Sequence, residues 1–171
     1  MIKLFVTDCD GVLTNGAYCV SEEGLLSKGF YSRDFHGMWM LNNAGVSVGV
    51  MSYSRDPVVS CQCNRVATYA ICMTGIKDKA VAVESRFVTS SVNPRGLVKD
   101  WEEIAYIGDD VIDIPLLEKV GLAACPIDAD PVVRKCIEEH RDGFVSTKKG
   151  GEGCVREFVD YIRTLVEYKN V

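Results

Sequence analysis

The sequence lacks several features that would place it in other protein classes. Its 171 residues contain no apolar run long enough to cross a membrane, and no signal-peptide pattern precedes the first apolar segment. Repeats, linkers and low-complexity tracts are absent. A net charge of −5 argues against a general nucleic-acid or membrane-surface binder, because both attract basic proteins. These observations predict a single cytoplasmic domain over residues 1–171, with a sizeable core.

The sequence also has no CxxC pair among its eight cysteines. Cys61 and Cys63 form a CxC pattern, which is a weak metal signal. Without a signal peptide, the cysteines are expected to be free, buried or half-buried thiols rather than disulfides. Cys9 should point into the core by strand alternation.

Apolar segments that resemble strands alternate with helical patterns along the chain. This order predicts an α/β fold: a doubly wound (Rossmann-like) parallel sheet with helices on both faces, and a β-hairpin insertion after the first strand. Predicted strands cover residues 2–7, 46–51 and 104–107, and the hairpin joins 17–20 to 25–30 through 21–24. Predicted helices cover residues 34–44, 57–68, 78–88, 112–120, 131–139 and 154–168, with a loop at 90–96.

The spacing of these elements leaves no room for a cap domain. Between the first strand and Ser52 there is space for a hairpin and one helix. Between Ser52 and Lys79 there is space for one helix and one strand. Both intervals are too short for a separate domain.

Two carboxylates follow the first strand, at Asp8 and Asp10. The carboxyl ends of parallel strands are where open α/β sheets bind ligands. Residues two apart in an extended chain point the same way, and two carboxylates that close require a neutralising charge, most simply a magnesium ion. The alternative is that both residues only cap a turn.

Three further segments favour the ligand site over the turn. Ser52 ends the next strand and can donate a hydrogen bond to a phosphate oxygen, with Ser54 and Arg55 close by. Lys79 begins a helix and could hold a carboxylate and a phosphate together, with Lys77 as the alternative. After the strand at 104–107, Asp109 and Asp113 would share one face of a helical turn.

Four features of the sequence resemble the four motifs of the haloacid dehalogenase superfamily, in the same order. They are DCDGVLT at 8–14, Ser52, Lys79 and GDDVID at 108–113. The resemblance extends over nearly the whole chain. It includes Arg33-Asp34 with Gly37 and the tail GGEGCVRE at 150–157. The resemblance is to the capless branch of 3-deoxy-D-manno-octulosonate 8-phosphate phosphatase, 2-keto-3-deoxynononate 9-phosphate phosphatase and the C-terminal domain of animal acylneuraminate cytidylyltransferase.

This resemblance implies a magnesium-dependent phosphatase acting on a small phosphorylated metabolite such as a sugar acid. Asp8 would be the nucleophile and Asp10 the general acid and base. Asp8, the backbone carbonyl of Asp10 and Asp109 would bind Mg²⁺. Ser52 and Lys79 would bind the phosphoryl group. Asp113 and Asp110 would support the metal site without binding the ion directly.

Several residues depart from the family pattern. Tyr53 and Phe35 replace glycines and are expected to add bulk at the mouth of the site. Arginines that meet the sugar-acid carboxylate in relatives are missing, and either Arg55 or Arg65 is a candidate substitute. Ile112 replaces an asparagine.

The resemblance also implies a homotetramer, in which neighbouring subunits cover the capless site through their hairpins. Apolar residues on or beside the hairpin are consistent with such an interface, although they could pack within their own domain: Leu25, Leu26, Phe30 and Tyr31.

Two other function classes share parts of this pattern. One is a non-catalytic oligomerisation or regulatory module, but such domains tend to lose motif acids, whereas Asp8, Asp10, Asp109 and Asp113 are all present. The other is a phospho-acceptor receiver domain, which does not account for the first and last motifs.

Overall fold

The computed structural model describes residues 1–24, 26–88 and 96–167, without the side chains of residues 166 and 167. Six parallel strands form one sheet in the order β5-β4-β1-β6-β7-β8, and β2 and β3 form a separate antiparallel hairpin. The strands are β1 (Leu4–Asp8), β2 (Cys19–Val20), β3 (Leu26–Ser27), β4 (Ser47–Met51), β5 (Ile71–Met73), β6 (Ile104–Ile107), β7 (Leu122–Cys125) and β8 (Gly143–Val145).

In the described part of the chain, six α-helices connect or follow the strands. They are α1 (Ser32–Asn43), α2 (Pro57–Val66), α3 (Lys79–Phe87), α4 (Ile114–Leu117), α5 (Pro131–Glu139) and α6 (Cys154–Glu167). Aspartates whose side chains accept a backbone N–H of the first turn begin α2, α3 and α5, at Asp56, Asp78 and Asp130. Such caps satisfy amide groups that have no partner within a helix.

The helices cover both faces of the sheet. Helices α1, α2 and α6 pack with strand residues such as Phe5 on one face, and α3, α4 and α5 pack with residues such as Tyr106 on the other. Because strand side chains alternate, Leu4 and Phe5 belong to opposite clusters. The doubly wound parallel sheet and the hairpin insertion predicted from the sequence are confirmed.

Some local predictions differ from the structure. The helix predicted at 112–120 begins only at Ile114, because a 3₁₀ turn over Val111–Asp113 precedes it. The sequence patterns do not predict β7 and β8. The predicted loop at 90–96 falls almost entirely outside the described residues, as do Leu25 and Tyr168.

The cysteines follow the prediction in part. All eight are free, and Cys9 is buried in the core as expected. Cys19 and Cys61 are exposed, which contradicts the prediction that every cysteine is buried or half-buried. Cys19 lies on the isolated hairpin and Cys61 on the outer face of α2, so neither packs against the sheet.

Asp34 joins helices α1 and α6 through a buried carboxylate. Its Oδ1 accepts the Arg156 N–H at 2.8 Å, while its buried Oδ2 has no hydrogen-bond partner among the described residues. Burial raises the pKa of Asp34 from 3.8 to about 7, although the Arg156 contacts oppose this. The folded state therefore favours the protonated acid, and its stability falls as pH rises from 3.8 towards 7.

We expect Asp34→Asn to remove this pH-dependent cost. At pH 8 the variant should gain ~2 kcal/mol in unfolding free energy over the wild type, because an amide carries no charge to desolvate. At pH 4 the gain should disappear. Urea unfolding at both pH values measures the difference, with Asp142→Asn on the surface as the control. An equal effect at both pH values would contradict the assignment.

Candidate active site

The acidic residues meet at one edge of the sheet. β1 lies between β4 and β6, and the chain extends the sheet first to one side and then to the other. The carboxyl ends of β1 and β6 therefore flank the point where the direction of winding changes, which is where such sheets bind ligands. Asp8 ends β1, and Asp109 follows β6 by two residues.

Lys79 connects this edge to the first turn of α3. Its buried ammonium lies 2.7 Å from Asp8 Oδ1 and 2.5 Å from Asp113 Oδ1. Burial by itself lowers the pKa of Lys79, but Asp8 and Asp113 more than offset this, so the pKa lies above its usual value. The lysine is thus held as a cation beside Asp8. Lys77, the alternative, is exposed.

Asp113 has hydrogen-bond partners on both oxygens. Oδ1 also accepts the Tyr106 hydroxyl at 2.6 Å, and Oδ2 accepts the backbone N–H groups of Asp109 and Asp110 at 3.0 and 3.1 Å. Asp113 therefore fixes the loop that carries Asp109 and orients Lys79. These contacts agree with a supporting role rather than direct metal binding.

Asp110 contributes through its backbone instead of its side chain. Its exposed carboxylate accepts the Val111 N–H at 2.7 Å and caps the following 3₁₀ turn. The Asp110 side chain therefore caps the 3₁₀ turn, whereas the sequence predicted that it would support the metal site.

Asp8 and Asp109 provide the carboxylate oxygens best suited to a cation. Oxygens of Asp8, Asp109 and Asp113 lie within 4.8 Å of one another. Asp109 Oδ1 is buried and has no hydrogen-bond partner in the described part of the chain. Burial raises the pKa of Asp8 to about 7, against the lowering effect of Lys79, and burial together with Asp8 and Asp113 raises that of Asp109 to about 8. A divalent cation would relieve this crowding.

Asp10 pairs with Lys28, whereas Asp8, Asp109 and Asp113 form the cluster. The strand ends at Asp8, so the shared direction predicted for Asp8 and Asp10 does not continue. Asp10 instead contacts Lys28 Nζ at 2.8 and 3.0 Å and accepts a hydrogen bond from Thr14 Oγ1 at 3.3 Å. It lies at the rim, where a general acid can meet a leaving group.

Gly11 is required by the packing of the first motif. Its φ of +87° favours glycine, and a Cβ there would lie 1.9 Å from Asp109 Oδ2. The tail also approaches closely, since a Cβ on Gly150 would lie 1.9 Å from Gly11 O. Gly151 N donates to Val12 O at 2.8 Å. The glycine-rich tail therefore supports the first motif of its own chain.

The structure brings only some predicted substrate-binding residues to the site. Ser52 is buried after β4, and its Oγ accepts the Ser54 N–H at 3.1 Å, which leaves its proton free to donate. Arg55 is exposed near this edge and packs over Gly75. Arg65 lies in the last turn of α2, about 12 Å along the helix axis from its start. It contacts Gln62 there, at the opposite end of α2 from Asp56, so its predicted role in binding substrate gains no support.

The other departures from the family pattern have different surroundings. Tyr53 directly follows Ser52 and is 54% exposed, so the bulk that it adds at the mouth of the site stays a prediction. Phe35 is buried and packs edge to face with Phe30, their ring centroids 5.8 Å apart. The prediction for Phe35 was therefore wrong, because its position faces the interior side of α1. Ile112 is partly exposed on the 3₁₀ turn.

Sequence reasoning missed three residues near the site. Tyr106 and Lys28 contact the motif residues Asp113 and Asp10, and Asp56 contacts Lys28. Tyr106 is in a strand and has no polar pattern around it. Lys28 and Asp56 belong to the hairpin and the start of α2, and no motif marks them. A lysine inside the predicted hairpin arm 25–30, which also contains Leu25, Leu26 and Phe30, was the available signal for Lys28.

No protein-family model matches the chain. The chain is 31% identical over 161 residues to 3-deoxy-D-manno-octulosonate 8-phosphate phosphatase KdsC of Yersinia pestis, covering 94% of this chain and 79% of that one. The enzyme of the same name from Escherichia coli K12 is likewise 31% identical over 161 residues, with the same coverage of 94% and 79%.

Solved structures show the same likeness. The cobalt-bound enzyme of Haemophilus influenzae superposes with a TM-score of 0.80 at 30% identity, covering 94% of this chain and 86% of that one. The Moraxella catarrhalis enzyme, solved with magnesium, phosphate and KDO, gives a TM-score of 0.81 at 25% identity, with coverage of 94% and 85%. The parallel sheet and the arrangement of Asp8, Lys79 and Asp109 agree with this likeness. These relatives show that the chain belongs to the haloacid dehalogenase superfamily, in the capless phosphatase branch that resembles 3-deoxy-D-manno-octulosonate 8-phosphate phosphatase.

Proposed function

We propose that the chain is a magnesium-dependent phosphomonoester hydrolase that acts on a phosphorylated 2-keto-3-deoxy sugar acid through an aspartyl-phosphate. The observation that carries this proposal is the buried contact of Asp8 with Lys79, beside an Asp109 oxygen that has no hydrogen-bond partner among the described residues. The names of the relatives and the KDO complex support the substrate class.

In the proposed mechanism, the reaction proceeds in two displacements at phosphorus. Asp8 attacks phosphorus, while Asp10 gives its proton to the leaving oxygen of the sugar. Asp10 then takes a proton from water, which attacks the aspartyl-phosphate, releases phosphate and restores Asp8. Lys79 and the Ser52 hydroxyl stabilise the charge of the transferred phosphoryl group.

A divalent cation would be held by Asp8, Asp109 and the backbone carbonyl of Asp10. When bound, it supplies positive charge that offsets the carboxylates and the substrate phosphate. Magnesium is the proposed ion, because it prefers oxygen ligands and binds through one or two carboxylates together with substrate phosphate.

A phosphate-release screen over sugar-acid and sugar phosphates tests the proposal. We expect turnover with Mg²⁺, loss of turnover in excess EDTA, and recovery when Mg²⁺ is added back. Ca²⁺ should restore much less, because it prefers more ligands and longer bonds. If no candidate is hydrolysed with Mg²⁺, the proposed function fails.

We further propose that the protein forms a tetramer through its hairpins. Tyr18, Val20 and Leu26 are exposed apolar residues on or next to the hairpin, which is typical of an interface. The eight free cysteines favour a reducing compartment such as the cytoplasm. No helix in the described ranges is both long and apolar enough to span a membrane.

The tetramer can be tested with two matched substitutions. Val20 and Val132 are 59% and 58% exposed, but only Val20 lies on the hairpin. We expect Val20→Asp to reduce the assembly to smaller species, because a charge would be buried in the interface. Val132→Asp should leave it unchanged in light scattering. A monomeric wild type would refute the proposal.

A further inference from the structure

Lys28 connects the hairpin to the edge of the active site. It follows β3, and its ammonium contacts both oxygens of Asp10 at 2.8 and 3.0 Å. It also lies 3.1 Å from Asp56 Oδ2. The Lys28 side chain is only 4% exposed. A lysine buried this far between two carboxylates has lost the conformational freedom of a surface lysine.

Asp56 is itself held in a fixed position. Its Oδ1 accepts the Val58 N–H at 2.8 Å as the N-cap of α2, and its own N–H donates to Ser54 Oγ at 3.1 Å. Ser54 N–H in turn donates to Ser52 Oγ at 3.1 Å. A continuous set of contacts therefore runs from Ser52, which follows β4, through Ser54 and Asp56 to Lys28.

Asp10 depends on this set of contacts for its orientation. It lies in the turn after β1, and its side chain is 33% exposed. Beyond Lys28, Asp10 accepts a weaker hydrogen bond of 3.3 Å from Thr14 Oγ1. A general acid must lie within hydrogen-bond reach of the atom that it protonates, and a carboxylate free to rotate at a rim meets that condition only part of the time.

We propose that Lys28 is a positioning residue that holds the Asp10 carboxylate at the rim of the site, where the leaving group would depart, with Asp56 as its anchor. The inference rests on the proposed function, since it concerns the proton that Asp10 transfers. It also assigns the hairpin a role inside its own active site. Lys28 itself transfers no proton.

Leaving-group dependence separates positioning from a purely structural role. Esters with poor leaving groups require protonation of the departing oxygen, whereas p-nitrophenolate leaves well without it. A variant with a misplaced Asp10 therefore loses activity on poor leaving groups selectively. A variant that is only less stable, or has less folded protein, loses activity on every ester by the same factor.

The test measures kcat/KM for p-nitrophenyl, phenyl and p-methoxyphenyl phosphate with Mg²⁺. We expect Lys28→Met to lower the value for phenyl phosphate on the order of 10²-fold, and that for p-nitrophenyl phosphate far less. Asp10→Asn, which cannot donate the proton, gives the steepest dependence and calibrates the scale. Lys135→Met, a surface lysine on α5, is the matched control with no change.

Two variants keep the test decisive if Lys28→Met folds poorly. Lys28→Arg retains a cation opposite Asp10 and should recover much of the lost activity on phenyl phosphate. Asp56→Asn keeps the helix cap but removes the charge opposite Lys28, and should steepen the leaving-group dependence to an intermediate degree. An unchanged slope in both Asp56→Asn and Lys28→Met overturns the proposal.

Two further outcomes separate failure of the Lys28 proposal from failure of the proposed function. Equal losses on all three esters in Lys28→Met contradict positioning, while the proposed phosphatase function stands. A wild type inactive on these esters and on every sugar phosphate refutes the proposed function, and the role of Lys28 with it.

Discussion

Asp8→Asn is expected to lower turnover of the best substrate on the order of 10⁴-fold or more, because an amide cannot attack phosphorus to form the covalent intermediate. The fold should be retained, since Asn has the same shape and Lys79 keeps its contact with Asp113. Removing one of the crowded carboxylates also removes a desolvation cost, so unfolding stability should not fall.

Steady-state phosphate release and rapid-quench mass spectrometry together measure this effect. The wild type should accumulate a phosphoryl adduct on a peptide that contains Asp8, and the variant should not. Asp142→Asn, an exposed aspartate paired with Arg141, is the control and should match the wild type. Comparable turnover by Asp8→Asn and wild type would rule out Asp8 as the nucleophile.

Lys79→Met is expected to affect both stability and activity. The lysine is buried between Asp8 and Asp113, and its loss leaves two buried carboxylates without their cation. Breaking a buried ion pair in this way costs about 3–5 kcal/mol. Turnover should fall as well, because the phosphoryl charge loses a stabilising group.

The stability loss in Lys79→Met should depend on pH. The pKa of Asp8 is already raised to about 7 by burial, and without Lys79 it rises further. The folded variant therefore binds protons more readily than the unfolded chain, so its stability falls as pH rises. Urea unfolding should show a larger deficit at pH 8 than at pH 5. Lys77→Met, two residues away and exposed, is the matched control, and an equal deficit in both variants would contradict this account.

The sheet and the motif positions could be predicted because they depend on local patterns. The strands around Phe5, Val48 and Tyr106 are short apolar runs, and their carboxyl ends meet wherever a parallel sheet forms. Asp8, Ser52 and Asp109 therefore fall at one edge on the basis of sequence order alone. The start of α5 at Pro131 was also predictable, because an aspartate and a proline mark it.

Side-chain direction at the ends of elements was not predictable in the same way. Asp10 was expected to point with Asp8, but β1 ends at Asp8, two residues before Asp10, and the Asp10 carboxylate contacts Lys28. Phe35 was assigned to the mouth by comparison with a glycine, but the rotation of α1 places it in the core. Such differences depend on backbone geometry that one residue can change.

The sequence by itself determined the alternation of strands and helices, the order of the acidic motifs and hence the class of chemistry. It could do so because hydrophobic periodicity and residue type act locally. The tertiary structure decided that Asp113 supports Lys79 and that Lys28 reaches Asp10 from the hairpin. These contacts join residues 34 and 18 positions apart, and only packing of separate elements brings such residues together.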